Sequence, residues 1–187
     1  MTAFEIPFFQ AVSGPDGDEW RNAVYAEIKS LVHNDTWTIV DRPSGEKVIG
    51  CRTVLRNKYK ANGELERRKF RVVAKEFSQR PGIDFHDTFA PVARLNSLRT
   101  LIAASVEQGM LISQIDIATA YLNGMMDTLV YMKKPEMLQE MLERIVATEQ
   151  GTDLTEKARK MLSSLKGGDK VCRLNKAIYG LRQAGRQ

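Results

Sequence analysis

The sequence is short of the residues that build disulfide scaffolds and zinc sites. Its 187 residues include two cysteines, Cys51 and Cys172, far apart along the chain, and two histidines, His33 and His86. Small secreted proteins need many disulfides and structural zinc sites need four clustered ligands, so both classes are excluded. This cysteine usage predicts a reducing, intracellular compartment.

Long apolar runs and a secretory leader are missing as well. No apolar run approaches the ~20 residues of a membrane-spanning helix, and the first residues lack the basic start and cleavage site of a signal peptide. Hydrophobic residues make up 43% of the chain and charged residues 27%, which is typical of globular proteins rather than disordered ones. We therefore expect a folded chain that is neither secreted nor embedded in a membrane.

Positive charge is concentrated in one part of the chain. The net charge is +5, but residues 52–80 hold ten Lys and Arg against three Glu, a net of +7, which leaves −2 for the remainder. A concentrated basic stretch indicates a polyanionic partner, with nucleic acid as the first candidate. The alternative is an ordinary solvated surface rich in lysine.

Residues 52–75 have the pattern of a β-hairpin, with Asn62-Gly63 as the turn. After the turn, Phe70, Val72 and Ala74 fall on one side of a strand, and cationic residues fall on the other. Residues on one side repeat every ~6.6 Å, a spacing comparable to that of backbone phosphates. We interpret the cationic side as a nucleic-acid contact; the alternative is a charged sheet edge that prevents aggregation. The proposed contact residues are Arg67, Lys69, Arg71 and Lys75.

The remaining patterns predict an α+β fold. Helices are predicted over residues 18–34, 96–109, 136–148 and 153–165, with a last helix starting at Asn175. Short strands are predicted at residues 37–40, 111–117, 130–132 and 171–174.

Asp116 stands out because it ends a strongly apolar segment just before a predicted turn. In proteins generally, an Asp at such a position most often caps the turn that follows. The functional alternative is a metal-binding carboxylate, because strand ends present catalytic carboxylates and Mg²⁺ takes hard oxygen ligands.

Five sequence blocks occur in a defined order. They are WRNAVYAEIKSLVHNDTW from Trp20, the long block from KYKANGELERRKF to SLRTLIA, QIDIATAYLNG, VYMKKPE and VCRLNKAIYGLRQAGRQ. Together they resemble the reverse transcriptase domain of copia-type LTR retrotransposons. The resemblance stops before the aromatic-x-Asp-Asp motif of that family, and no Asp-Asp dipeptide occurs in the sequence.

The resemblance implies a partial right-hand polymerase fold, with an antiparallel fingers hairpin and an incomplete palm beside helices. It divides the chain into an N-terminal extension at 1–17 and a partial reverse transcriptase domain at 18–187. Within that domain, residues 18–94 would be fingers-like and residues 95–187 a partial palm, with a helical insertion at about 136–166.

The resemblance also implies metal-binding roles. Asp116 would be the first catalytic, metal-binding aspartate, with the backbone carbonyl of Ile117 beside it on Mg²⁺ or Mn²⁺. Metal is expected in the complete enzyme and not as a stable ligand of this chain alone.

Four further residues would meet the nucleotide. Tyr121 would pack under the sugar of the incoming nucleotide, the alternative being a core aromatic. Gly180 would let the backbone approach the nucleotide, the alternative being a helix-start glycine. Arg71 and Lys75 would contact triphosphate or template phosphates, the alternative being edge charges.

The implied function is RNA-directed DNA polymerisation by two-metal nucleotidyl transfer, in a cytoplasmic virus-like particle or in the nucleus. Expected partners are an RNA template, a DNA primer, dNTPs and the rest of a Pol polyprotein, with no membrane. The chain alone is expected to be inactive. The alternative is a decayed or domesticated nucleic-acid-binding remnant that uses only the basic hairpin.

Overall fold

The computed structural model of the chain describes residues 7–117 and 119–187. Helices and strands are mixed along the chain, which confirms the α+β class. The helices are α1 (Phe8–Ser13), α2 (Gly17–His33), α3 (Leu95–Glu107), α4 (Leu138–Thr148) and α5 (Asp153–Ser164). The strands are β1 (Trp37–Asp41), β2 (Val48–Ile49), β3 (Cys51–Tyr59), β4 (Leu65–Ala74), β5 (Tyr131–Met132) and β6 (Lys170–Leu174).

The strands form two separate sheets. One has four strands in the order β1-β6-β5-β2, in which β6 runs antiparallel to β1 and β5, and β2 runs parallel to β5. The other is the antiparallel β3-β4 hairpin. Gly63 takes a left-handed φ of +86° in its turn, a conformation that glycine adopts without a steric penalty. The predicted hairpin is therefore confirmed, whereas the two-residue strand β2 was not predicted.

Helix α2 carries the apolar stripe that the sequence predicts. Trp20, Val24, Ile28, Leu31 and Val32 are buried, and the helix packs against α1, β4, α4 and α5. The helix begins at Gly17, one residue before the predicted start at residue 18. Among the described residues, no helix combines the length and apolarity needed to cross a bilayer.

Helices α4 and α5 confirm the two helices predicted between residues 136 and 165. They pack against each other and against α2. Ion pairs reinforce this contact at Arg21–Glu140 (2.7 Å) and Lys29–Glu149. The two helices are thus integrated into the core around α2.

The strand predicted at 111–117 is wrong: these residues form no strand in the described structure. Leu111 and Ile115 are 99% and 88% exposed. The neighbouring helix α3 was predicted correctly, yet its apolar residue Leu101 is 64% exposed. An isolated strand leaves its backbone hydrogen bonds unmade, so alternation in the sequence cannot form one without a ladder partner.

The helix predicted from Asn175 is also wrong, because residues 175–187 form no helix and have turns at residues 179–180 and 182–186. Gly180 takes a φ of +91°, which a right-handed helix does not accommodate. The preceding carbonyl, of Tyr179, accepts a hydrogen bond from the Ala74 N–H at 2.8 Å. The segment is thereby joined to the end of β4.

We predict that Gly180→Ala destabilises the chain far more than Gly63→Ala. Both glycines have a left-handed φ, which costs an alanine about 1–2 kcal/mol. A Cβ on Gly180 would also lie 2.2 Å from the Ala74 carbonyl oxygen, whereas nothing lies within 4 Å of one on Gly63. The expected loss for Gly180→Ala is therefore about 3 kcal/mol or more. Denaturant unfolding measures both losses, and equal values would contradict the close approach.

Candidate nucleic-acid interface

The β3-β4 hairpin collects six cations on one side. We define this basic face as the side of the hairpin that carries Arg52, Arg56, Lys58, Arg67, Lys69 and Arg71. The register places Arg67 directly opposite Lys58, and Lys69 directly opposite Arg56. Like charges that face each other across two strands are destabilising. The arrangement therefore favours a ligand that brings negative charge.

The other side of the hairpin explains why the cations point together. Phe70, Val72 and Ala74 are buried, as the alternation predicts, and Leu55 lies opposite Phe70. Because side chains of a strand alternate between its two sides, burying these residues places Arg67, Lys69 and Arg71 on the opposite side. The core thereby fixes the orientation of the basic face.

Arg68 is a cation of the same stretch that does not belong to the basic face. Its guanidinium lies 2.7 Å from carboxylate oxygens of both Asp16 and Glu19, and its side chain is only 10% exposed. It also lies over the Trp20 ring, 5.1 Å from the ring centroid. Arg68 therefore joins β4 to the start of α2, a role that the charge count did not reveal.

Burial and mutual repulsion both act on the titratable groups at the basic face. The pKa of Lys69 is lowered, first by burial and then by the neighbouring charges of Arg71 and Arg67. On α2, the pKa of Glu27 is raised by burial, which outweighs its hydrogen bond from the Val72 N–H and its attraction to Arg71 and Lys69. Both shifts indicate that charged forms are partly desolvated beside the face.

Arg71, Tyr179 and Tyr121 form a cluster of side chains at the end of the basic face. The guanidinium carbon of Arg71 lies 4.5 Å from the centroid of the Tyr179 ring. The Tyr121 ring lies edge-on to Tyr179, with 5.0 Å between centroids. The fold thus brings Arg71 and Tyr121 to the same ring, and Gly180 follows that ring's residue, Tyr179, in the chain. Sequence reasoning missed Tyr179, although it lies in the IYGL block that carried the resemblance.

Two other predicted residues lie apart from any such cluster. Lys75 follows the last residue of β4, and its half-buried side chain lies against Gly50. Asp116 is exposed and makes no hydrogen bond or ion pair with the described residues, and Ile117 beside it is 65% exposed. Their roles stay predictions.

Metal binding needs more ligands than Asp116 supplies. Within residues 7–117 and 119–187, no three His, Cys, Asp or Glu side chains come close enough together to hold an ion. Mg²⁺ binding in polymerases rests on several oxygen ligands. The described residues therefore show no cluster of such side chains around Asp116.

We predict that Glu27→Gln removes a pH-dependent loss of stability. Folding raises the pKa of Glu27 above its ordinary value of 4.5, so the folded state keeps the proton where the unfolded chain has lost it. The stability that this raised pKa contributes to the folded state is fully present below pH 4.5. It is lost as the pH rises through the pKa that Glu27 has in the folded state. Glutamine also accepts a hydrogen bond from Val72 but does not titrate.

Unfolding free energies of wild type and Glu27→Gln, measured between pH 4 and pH 7, test this prediction. The variant should gain stability relative to wild type as the pH rises. A constant difference across that range would contradict the desolvation of Glu27.

Comparisons with known proteins identify the family. The profile of the reverse transcriptase (RNA-dependent DNA polymerase) family matches residues 34–145. The chain is 35% identical, over 94% of its length, to the retrovirus-related Pol polyprotein from transposon RE2 of Arabidopsis thaliana. It is 32% identical, over 95% of its length, to the one from transposon TNT 1-94 of Nicotiana tabacum.

The chain spans only about a tenth of the length of these relatives, with 10% of the first and 12% of the second covered. No solved structure matches it significantly. The family profile covers more than half of the chain, and the Pol relatives align with nearly all of it. The chain therefore belongs to the reverse transcriptase (RNA-dependent DNA polymerase) family, within the copia-type Pol polyproteins that its sequence blocks resemble.

Proposed function

We propose that this chain forms the template-holding part of an RNA-directed DNA polymerase and binds the phosphate backbone of RNA or DNA on its basic face. The observation that carries the proposal is the register of the hairpin. It sets Arg67 against Lys58, and Lys69 against Arg56, on a surface whose reverse side is buried. Phosphates placed between such pairs would neutralise charges that otherwise repel.

The charge distribution supports contact with a backbone rather than with bases. Arginine and lysine side chains spaced along two strands match a repeating anion, and contacts to phosphates carry no sequence information. Lys69 is partly desolvated beside two arginines, which disfavours its charged form until an anion arrives. We expect binding with little sequence preference and strong salt dependence.

The remaining assignments follow from the family and complete the proposal. The hairpin would belong to the fingers and the segment with Asp116 to the palm, with the domain bounds at residues 18, 95 and 187. Asp116 and Ile117 would contribute to metal binding, and Tyr121, Gly180, Arg71 and Lys75 to nucleotide binding. The RNA template, DNA primer and dNTPs would be bound within a Pol polyprotein inside the cell.

A second candidate function is nucleic-acid binding without catalysis. The exposure of Asp116, and the lack of any group of three His, Cys, Asp or Glu side chains that could hold a metal in the described part of the chain, favour this alternative for the chain alone. Nucleotidyl transfer by two metal ions needs a shared set of carboxylates. Both candidates use the same basic face, so they differ in chemistry and not in the surface that binds.

We predict that the purified 187-residue chain binds primer–template but does not extend the primer. Primer extension with Mg²⁺ or Mn²⁺ on a homopolymer template, beside an active reverse transcriptase as positive control, measures this. Incorporation that disappears in Asp116→Asn would show that the chain carries a complete active site. Binding without incorporation would favour the second candidate for the isolated chain.

We predict that Arg67→Gln with Lys69→Gln weakens binding of single-stranded RNA and flattens its salt dependence. Each lost phosphate contact lowers the slope of log affinity against log salt by about 0.7 for single strands, so the double variant should lose about 1.4. Fluorescence anisotropy at several KCl concentrations gives affinity and slope together.

The matched control removes two charges elsewhere, with Arg159→Gln and Lys166→Gln on and just after α5. Both residues are exposed, and the change in net charge is identical. If the control pair flattens the slope as much as the hairpin pair, binding depends on total charge and the basic face is not the site.

A further inference from the structure

One aromatic ring contacts two of the side chains that the family resemblance assigns to the nucleotide, Arg71 and Tyr121. Tyr179 lies under the Arg71 guanidinium at 4.5 Å and meets the Tyr121 ring edge-on at 5.0 Å. The interplanar angle between the two tyrosines is 87°, a favourable T-shaped arrangement. Tyr179 therefore connects the basic face to the segment that follows Asp116.

The backbone, rather than the hydroxyl group, holds Tyr179 in place. Its carbonyl accepts the Ala74 N–H at 2.8 Å, which ties it to the last residue of β4. On either side, Ile178 and Leu181 are buried, and Gly180 supplies the left-handed turn between them. The ring consequently has a fixed position from which to orient its neighbours.

The Tyr179 ring matters for Arg71 because the two strands give its guanidinium few polar partners. Its Nε is buried and has no hydrogen-bond partner among the described residues. The residue opposite it on β3 is Val54, which has no polar side-chain atom. The Glu27 carboxylate attracts it at longer range. Stacking on Tyr179 is thus the main contact that restricts the guanidinium, and a restricted guanidinium loses less freedom when it binds a phosphate.

We propose that Tyr179 is the positioning residue of the basic face: it holds the Arg71 guanidinium in place for a backbone phosphate and sets the Tyr121 ring beside it. This inference rests on the proposed function and extends it, because it assigns Arg71 a geometry that is held by an aromatic ring. Tyr179 acts through Arg71.

A double-mutant cycle on single-stranded RNA binding tests the inference. Tyr179→Leu should weaken binding about threefold to tenfold and lower the salt slope by about 0.7, as Arg71→Gln does. In the Arg71→Gln background, Tyr179→Leu should have almost no further effect. Tyr179→Phe keeps the ring and should restore both affinity and slope. Equal losses in both backgrounds would overturn the inference.

Arg71→Lys gives a second test that leaves Tyr179 untouched, in case Tyr179→Leu lowers the melting temperature. Lysine keeps the charge but lacks the planar group that stacks on the ring. Weaker binding by Arg71→Lys at unchanged melting temperature supports the inference, and wild-type affinity overturns it.

The two proposals fail in different ways. If the Arg67→Gln and Lys69→Gln pair leaves binding unchanged, the basic face is not the site and the proposed function is wrong. If Arg67→Gln with Lys69→Gln weakens binding but the effects of Tyr179→Leu and Arg71→Gln are additive, the basic face is the binding site. Only the positioning role of Tyr179 is then wrong.

Discussion

The apolar stripe of α2 is the contact surface on which most of the structure depends. Val24 and Ile28 are fully buried, and the helix packs against the hairpin as well as against α4 and α5. Burying side chains of this size contributes about 1.5–3 kcal/mol each. Polar contacts then fix the helix to β4, through Glu27 at Val72 and through the ion pairs of Arg68. The direction in which the basic face points follows from this docking.

The two sides of strand β4 have opposite effects on the stability of the hairpin. Its buried side needs Phe70 and Val72 in the core, and its other side carries Arg67, Lys69 and Arg71 with further cations opposite. Burial of the apolar side stabilises the hairpin. The cationic side destabilises it, because neighbouring positive charges repel. The basic face keeps its cations close together although they repel one another. Such a surface is consistent with selection for a polyanionic ligand rather than for stability. The chain belongs to a family of nucleic-acid polymerases, which agrees with that interpretation.

Sequence reasoning succeeded where neighbours in the chain decide the outcome. The turn at Asn62-Gly63, the alternation on β4 and the helices α2 to α5 follow from local spacing, and the structure confirms them. It failed at residues 111–117, where a strand needs a partner that local spacing does not provide. The helix expected from Asn175 failed because the backbone there bonds to β4 and turns at Gly180.

The sequence by itself determined the family, the α+β class and the phase of the basic strand, because ordered motifs and short periodicities are written in consecutive residues. Only the tertiary structure decided which cations act together. It paired Arg67 with Lys58, turned Arg68 toward α2 and set Tyr179 under Arg71. These contacts join residues from distant parts of the chain, and their geometry depends on how α2 and the final turns dock on β4. No local pattern encodes that docking, since it results from the burial of many apolar side chains at once.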